Sequence, residues 1–134
     1  MKKSHLSLEI TRWLDDDLAV ALACEFSYDP HDPLAVTMVF RADSEWPVRW
    51  VVSRDLLAEG MSLRVGEGDV VLWPAHQLEG VEATFLMRIG GAFTAFFEIP
   101  TEPFAEWLAA TYLQVRRGTE LQGVDWDALV QLAE

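Results

Sequence analysis

An α+β fold, built on a twisted antiparallel sheet of about seven strands, is predicted by three features of the chain. Apolar and polar residues alternate with period two through much of the first 53 positions, as in strands with one buried face. Turn-forming clusters break that alternation at the spacing of a meander, and Gly90-Gly91 divides a later apolar stretch as a hairpin turn would. The period lengthens to that of a helix after Ser53 and again after Thr101. Strands followed by helices argue for α+β and against a parallel α/β sheet.

Taken in order, Leu6, Leu8 and Ile10 alternate with Ser7, Glu9 and Thr11 in a first strand over residues 5–13. Asp15-Asp16-Asp17 makes a turn. Val20, Leu22, Cys24 and Phe26 share one face of a second strand whose other face is mostly alanine. A third strand runs over 34–41. In a fourth, over 46–53, Pro47 suggests an edge or a strand beginning. Ser53 then caps a short helix over 54–59, which Gly60 ends by taking a left-handed conformation. After a Gly66–Asp69 turn come strands at 70–73, 81–89 and 92–99. Thr101 caps a longer helix with Phe104, Trp107, Leu108, Tyr112 and Val115 as its apolar stripe. Arg116-Arg117 fall in its last turn, and Gly118 lies beyond. Asp125 caps a terminal helix over 126–133, with Val124 and Leu129 as a hydrophobic staple. The order reads as a loose duplication of a strands-then-helix unit of ββββα type. No linker divides it, so residues 1–134 form a single domain.

Composition narrows the function classes. The net charge of −12 is spread along the chain, which would repel a phosphate backbone and argues against nucleic-acid binding. No apolar run is long enough for a membrane helix and the start lacks a signal-peptide core, so a cytoplasmic protein without membrane insertion is expected. The one cysteine, Cys24, reads as a small buried hydrophobe and cannot form an intrachain disulfide. The hairpin from Val81 to Ile99 is apolar on both faces, with Phe85, Met87 and Ile89 on one side and Leu86 and Phe96 on the other. Such a sheet must be covered twice, and a second copy of the chain is the expected second cover.

The residues carry little chemistry. His5, His31 and His76 show no metal-ligand spacing to one another or to Cys24, so no cofactor or metal is expected. Asp29-Pro30-His31-Asp32-Pro33 gathers two carboxylates and an imidazole, but prolines after both aspartates fit a rigid turn better than a catalytic centre. Gly66-Glu67-Gly68 lacks the later glycine and the lysine of a phosphate-binding loop. Glu102 and Glu106 lie on a solvated helix start. Trp46 and Trp50 share a strand face opposite Arg49, and a core or subunit contact explains them better than a base-stacking platform without positive charge. An enzyme is not indicated.

Three phrases carry a resemblance: YDPHDPLAV from Tyr28, WVVSRDLLAEG from Trp50 and GEGDVVLWP from Gly66. In this order and spacing the chain resembles the SsgA-like proteins of sporulating and other actinobacteria, and most of all their SsgB type. The likeness is strongest over residues 24–74 and weaker to the end. It implies a non-enzymatic regulator of sporulation-specific cell division, located at the septum, that recruits or organises the tubulin-like GTPase FtsZ. It also implies a fold similar to the trimeric whirly-type single-stranded nucleic-acid binders, hence a homotrimer. Single-stranded nucleic-acid binding is the alternative function this fold suggests, and the acidic balance opposes it. Near the second phrase, Arg49, Arg54 and Leu57 are the candidate partner-binding residues, as exposed groups of the kinds that interfaces favour, arginine and large apolar side chains over lysine. For Leu57, packing of the short helix on the sheet is the favoured alternative, and Asp55 could pair with one of the arginines.

Overall fold

The computed structural model describes residues 2–124, 127, 130 and 131. It contains β1 (Ser4–Trp13), β2 (Ala19–Tyr28), β3 (Ala35–Phe40), β4 (Val48–Ser53), α1 (Arg54–Gly60), β5 (Val65–Glu67), β6 (Val70–Pro74), β7 (Thr84–Ile89), β8 (Ala95–Pro100) and α2 (Thr101–Gln114). All eight strands form one antiparallel sheet in the order β4-β3-β2-β1-β8-β7-β6-β5. Each half of the sheet is thus a four-strand meander that ends in a helix, the ββββα unit the sequence suggested. The halves meet at β1 and β8, through the pairs Thr11↔Glu98, Arg12↔Phe97 and Trp13↔Phe96.

The sheet is strongly curled. Phe40 on β3 and Phe97 on β8 lie three strands apart, about 14 Å in a flat sheet, yet their rings stack with centroids 4.4 Å apart. Curling brings the two ends of the strand order together, so that α1 touches β4, β5 and β6 at once. The concave face holds Ile10, Cys24, Phe26, Met38, Leu72, Phe85, Met87 and Ile99, all essentially inaccessible. The helix α2 lies across this face. Its Phe104 ring sits 4.9 Å from Phe26 of one half and 5.4 Å from Phe85 of the other. Burying aromatic rings at such tilted contacts adds to the area removed from water, which makes α2 the plug of the core.

Several boundaries differ from expectation. The eighth strand, β5, is only three residues long and pairs Val65–Glu67 with Leu72–Val70. The strand expected over 46–53 begins at Val48, leaving Trp46 78% exposed. The strand expected over 81–89 begins at Thr84, because Val81 turns back on Leu78 through an N–H to carbonyl bond of 3.2 Å. A two-residue turn at Gly90-Gly91 is replaced by a longer connection between Ile89 and Ala95, which pair. Within it Gly90 has φ of +102°, and a Cβ there would overlap the Phe93 carbonyl. Gly60 is not left-handed. It is glycine because its Cα faces the Leu72 side chain, where any Cβ would overlap. Ser53 does cap α1, its Oγ accepting from Leu56 N at 3.2 Å. Thr101 is the first helical residue of α2 and Pro100 its cap, so the first turn has no side-chain cap, and Arg116-Arg117 fall beyond the helix end. The terminal helix with its Asp125 cap and Leu129 staple falls outside the described residues, save for helical 127, 130 and 131.

Candidate partner-binding surface

The second phrase begins its helix with Arg54, and the fold turns that residue inward. Its guanidinium lies between two rings, 4.7 Å from the centre of Tyr28 and 3.9 Å from that of Tyr112. Nη1 donates to the Thr111 carbonyl at 3.1 Å, and Nη2 donates to Glu120 Oε1 at 3.2 Å. Arg54 is 1% exposed, and the Glu120 side chain only 7%. A buried cation is tolerated only with such partners, and here a carboxylate, a helix-end carbonyl and two π faces supply them.

Around this pair the helices are tied to each other. Tyr112 donates its hydroxyl to Asp55 Oδ1 at 2.6 Å, Arg117 Nε lies 3.6 Å from the same carboxylate, and Arg117 Nη2 donates to Glu59 at 2.7 Å. Burial, and then the bond to Asp55, holds the Tyr112 hydroxyl well above the usual tyrosine range. Burial also raises that of Tyr28. Arg117 is held protonated first by its bond to Glu59 and then by the Asp55 charge.

The three phrases are therefore one physical unit. Tyr28 of the first stacks on Arg54 of the second, and the Leu34 carbonyl accepts from Arg54 N at 2.9 Å. Gly60 of the second abuts Leu72 of the third. The Asp29–Asp32 turn is stitched locally: Asp29 Oδ1 accepts from His31 N at 2.9 Å, a bond that lowers the Asp29 pKa. Asp29 also lies 3.2 Å from His31 Nδ1 and 3.9 Å from Lys3 Nζ, on an exposed turn. Among the described residues no group of three or more His, Cys, Asp or Glu could hold a metal ion. No helix among them is long and apolar enough to cross a membrane.

Two of the three candidate partner residues are corrected by this geometry. Arg54 is the buried centre of the clamp and not an exposed contact, and Leu57 is wholly inaccessible in the core, packing the short helix on the sheet as its alternative reading has it. Arg49 alone stays exposed, on the convex face beside Val51, which is 54% exposed. The anticipated pairing of Asp55 with a nearby arginine is made instead with Arg117. Cys24 is buried as expected, and burial pushes its thiol up to about 12. Sequence reading places Tyr112 in the apolar stripe of the long helix but does not foresee that it and Glu120, more than fifty positions after Arg54, hold the guanidinium.

The convex face is apolar around the joint between the halves. Trp13, Leu14, Ala75, Leu86 and Phe96 line a groove of about 460 Å³, with Asp15 and Asp16 at its edge and Glu98 as its floor. Glu98 is held there as a structural carboxylate, accepting from Trp13 Nε1 at 2.8 Å and from the Thr84 hydroxyl at 2.6 Å. The surface thus offers apolar area and scattered arginines among many carboxylates, of which Asp15, Asp29 and Glu98 are held in turns and ties.

Comparison with known proteins agrees with this architecture. The profile of the family described as "Streptomyces sporulation and cell division protein, SsgA" matches residues 22–120. The chain is 39% identical over 124 residues to the sporulation-specific cell division protein SsgB of Streptomyces coelicolor, covering 92% of this chain and 86% of that one. It is 34% identical over 113 residues to SsgB of Frankia casuarinae, covering 84% and 78%. Among solved structures, an SsgA-like sporulation-specific cell division protein from Thermobifida fusca superimposes with a TM-score of 0.84 at 28% identity, covering 99% of this chain and 96% of that one. An SsgB structure from work linking its mutations to longitudinal cell division during sporulation of Streptomyces coelicolor gives 0.83 at 28% identity, over 90% and 94%. With that family profile over most of its length and a curled eight-stranded sheet in common, the chain belongs to the SsgA family of sporulation and cell division proteins.

Proposed function

We propose that this chain is a non-enzymatic regulator that works at septum sites in sporulation-specific division, recruiting or organising FtsZ. The cell-division role in sporulation is supported by relatives that carry that description across most of their length. The observation that carries the non-enzymatic part is the Arg54 clamp. The motif region with the strongest family likeness spends its charged and aromatic groups on joining α1, β2 and α2, and leaves solvent-facing apolar and arginine groups for contact. Arg49 is the remaining candidate for partner contact. A homotrimer fits the apolar convex groove at Trp13, Leu86 and Phe96, which another copy would cover. Single-stranded nucleic-acid binding has no observation in its favour.

The test is where a fluorescent fusion sits relative to FtsZ rings in sporulating cells, with co-sedimentation on FtsZ polymers in vitro. Co-localisation and co-pelleting are expected, with weaker pelleting for Arg49→Ala. Neither occurring would end the FtsZ reading. Light scattering is expected to give three times the chain mass, and a monomer would end the trimer reading.

A further inference from the structure

The connections β1–β2, β3–β4, β5–β6 and β7–β8 all lie at one end of the curled sheet, opposite the end where α1 and α2 leave β4 and β8. Phe104, Leu108 and Leu57 fill the helix end. At the other end the sheet has an open mouth, a pocket of about 180 Å³. Its floor is the Phe40–Phe97 stack, its walls include Leu22 and the half-buried Trp50, and its rim carries Phe93, which is 95% exposed. Leu14, Leu18 and Trp46, in the loops at the same end, are each at least half exposed. Of these exposed groups Phe93 lines the pocket itself, while Leu18 and Trp46 add apolar surface in neighbouring loops.

The two charged groups lining this pocket are Arg12 and Arg41. Neither forms an ion pair among the described residues, in a chain whose net charge is −12. Arg12 Nε is buried there without a hydrogen-bond partner. Arg54 Nε in the clamp is likewise without a protein partner, but Arg12 Nε lies at a pocket wall, where water or an acceptor arriving from outside can reach the guanidinium. Arg41 is the one non-glycine residue with positive φ among the described residues, at +55°. Its backbone is pinned in that strained form, N donating to the Ala23 carbonyl at 2.8 Å and its carbonyl accepting from Ser44 N at 2.9 Å. Strain retained at a pocket rim, where glycine would relieve it, points to a use for the side chain.

We propose that this mouth is a docking site for a linear segment of a partner protein in which a large apolar side chain is flanked by carboxylates. The pocket is smaller than the 300–1,000 Å³ typical of small-molecule sites and takes a single anchoring side chain. The apolar anchor rests on Phe40 and Phe97 against Trp50, and the carboxylates accept from Arg12 and Arg41 in charge-assisted bonds. The acidic surface beyond the mouth opposes a polyphosphate strand at long range and admits a short acidic segment only where these arginines offset it. This rests on and deepens the proposed role as a non-enzymatic division regulator by naming the chemistry of a bound partner. Its test does not involve FtsZ, so either can fail alone.

Random dodecapeptides displayed on phage, selected on the full chain, test it. Enriched sequences are expected to place Asp or Glu beside Phe, Trp or Leu, and synthetic copies are expected to bind saturably by fluorescence anisotropy. Arg12→Gln should weaken them about tenfold or more, the worth of a lost bond between charged groups. Arg88→Gln, which removes the same charge from the convex side of β7, should leave them unchanged. Should Arg12→Gln impair folding, Arg41→Gly decides, since it removes the backbone strain and must weaken the peptide while the unfolding midpoint holds or rises. No enrichment, enriched peptides without carboxylates, or equal effects of Arg12→Gln and Arg88→Gln would overturn the proposal. So would light scattering in which Phe93→Ala dissolves an oligomer, because a second copy would then own the mouth.

Discussion

Replacing Arg54 by methionine keeps much of the side-chain volume and removes the charge on which the clamp depends. Glu120, whose side chain is 7% exposed, then loses its one buried cation, and the Thr111 carbonyl keeps only the Val115 N–H as donor. Removing one partner of a buried ion pair costs about 3–5 kcal/mol, because the survivor's charge is left without compensation. Loss of the contacts to the Tyr28 and Tyr112 rings at 4.7 and 3.9 Å falls within that range and is not additive to it. For a single domain with about 5–15 kcal/mol of total stability this is a large share, and it corresponds to a fall in Tm of about 10–20 °C for a chain this size. The assay is urea denaturation of Arg54→Met, Glu120→Leu and the double variant, followed by tryptophan fluorescence. The double variant should recover about 2 kcal/mol of the summed single costs, since it removes the stranded charge. A cost below about 1 kcal/mol for Arg54→Met, or single costs that simply add, would mean that the buried pair is not what holds the helices together.

Three further outcomes follow from the packing. Gly60→Ala should destabilise by about 2 kcal/mol, since its Cβ would run into Leu72 and the backbone of α1 must shift to admit it. Denaturant midpoints check this, and an unchanged midpoint would mean that α1 is not held against β6. Both tyrosines have hydroxyl pKa values raised on folding. Their stabilising contribution is therefore complete below the unfolded value near 10 and is lost as the pH rises through the folded values. In an absorbance titration tyrosinate should appear together with unfolding, and a separate native-state step near pH 10 would contradict the clamp geometry. Cys24, with its thiol pushed up to about 12 and 1% exposed, should resist alkylation by iodoacetamide at pH 8 in the native protein and react when urea unfolds it. Mass spectrometry reads the difference, and fast native labelling would show that β2 opens.

Much of the sheet was legible because one face of each strand meets the core. Leu6, Leu8 and Ile10 against Ser7, Glu9 and Thr11 is a pattern that only a half-buried strand satisfies, and β1 follows it. β5 was not legible, because Val65–Glu67 reads as the approach to a turn and becomes a strand only through pairing with β6. Helix starts showed themselves where a side chain does the capping, as Ser53 does. The start of α2 misled, because Thr101 N donates to the Ala83 carbonyl across the sheet, a bond no local pattern announces. Arg54 shows the limit most clearly. An arginine at a helix start reads as solvated, and its burial depends on Tyr28, Tyr112 and Glu120, placed by three different parts of the chain. The remaining candidate, Arg49, was recognisable as exposed because it alternates with inward-facing Val48 and Trp50.

The joint between the halves has a consequence for how the molecule comes apart. β1 and β2 share ten register pairs, whereas β1 and β8 share three. A seam that short would let each meander breathe or melt on its own schedule, as repeated units in a solenoid do. The helices prevent this by crossing over: α1, from the first half, packs on β5 and β6, and α2, from the second, packs on β1, where Gln114 donates to the Ser4 hydroxyl at 3.0 Å. Each meander is thus roofed in part by its neighbour's helix, and losing either half uncovers the other. Amide protons on both sides of the seam are accordingly expected to exchange in one cooperative opening, so that the internal repeat behaves thermodynamically as a single unit.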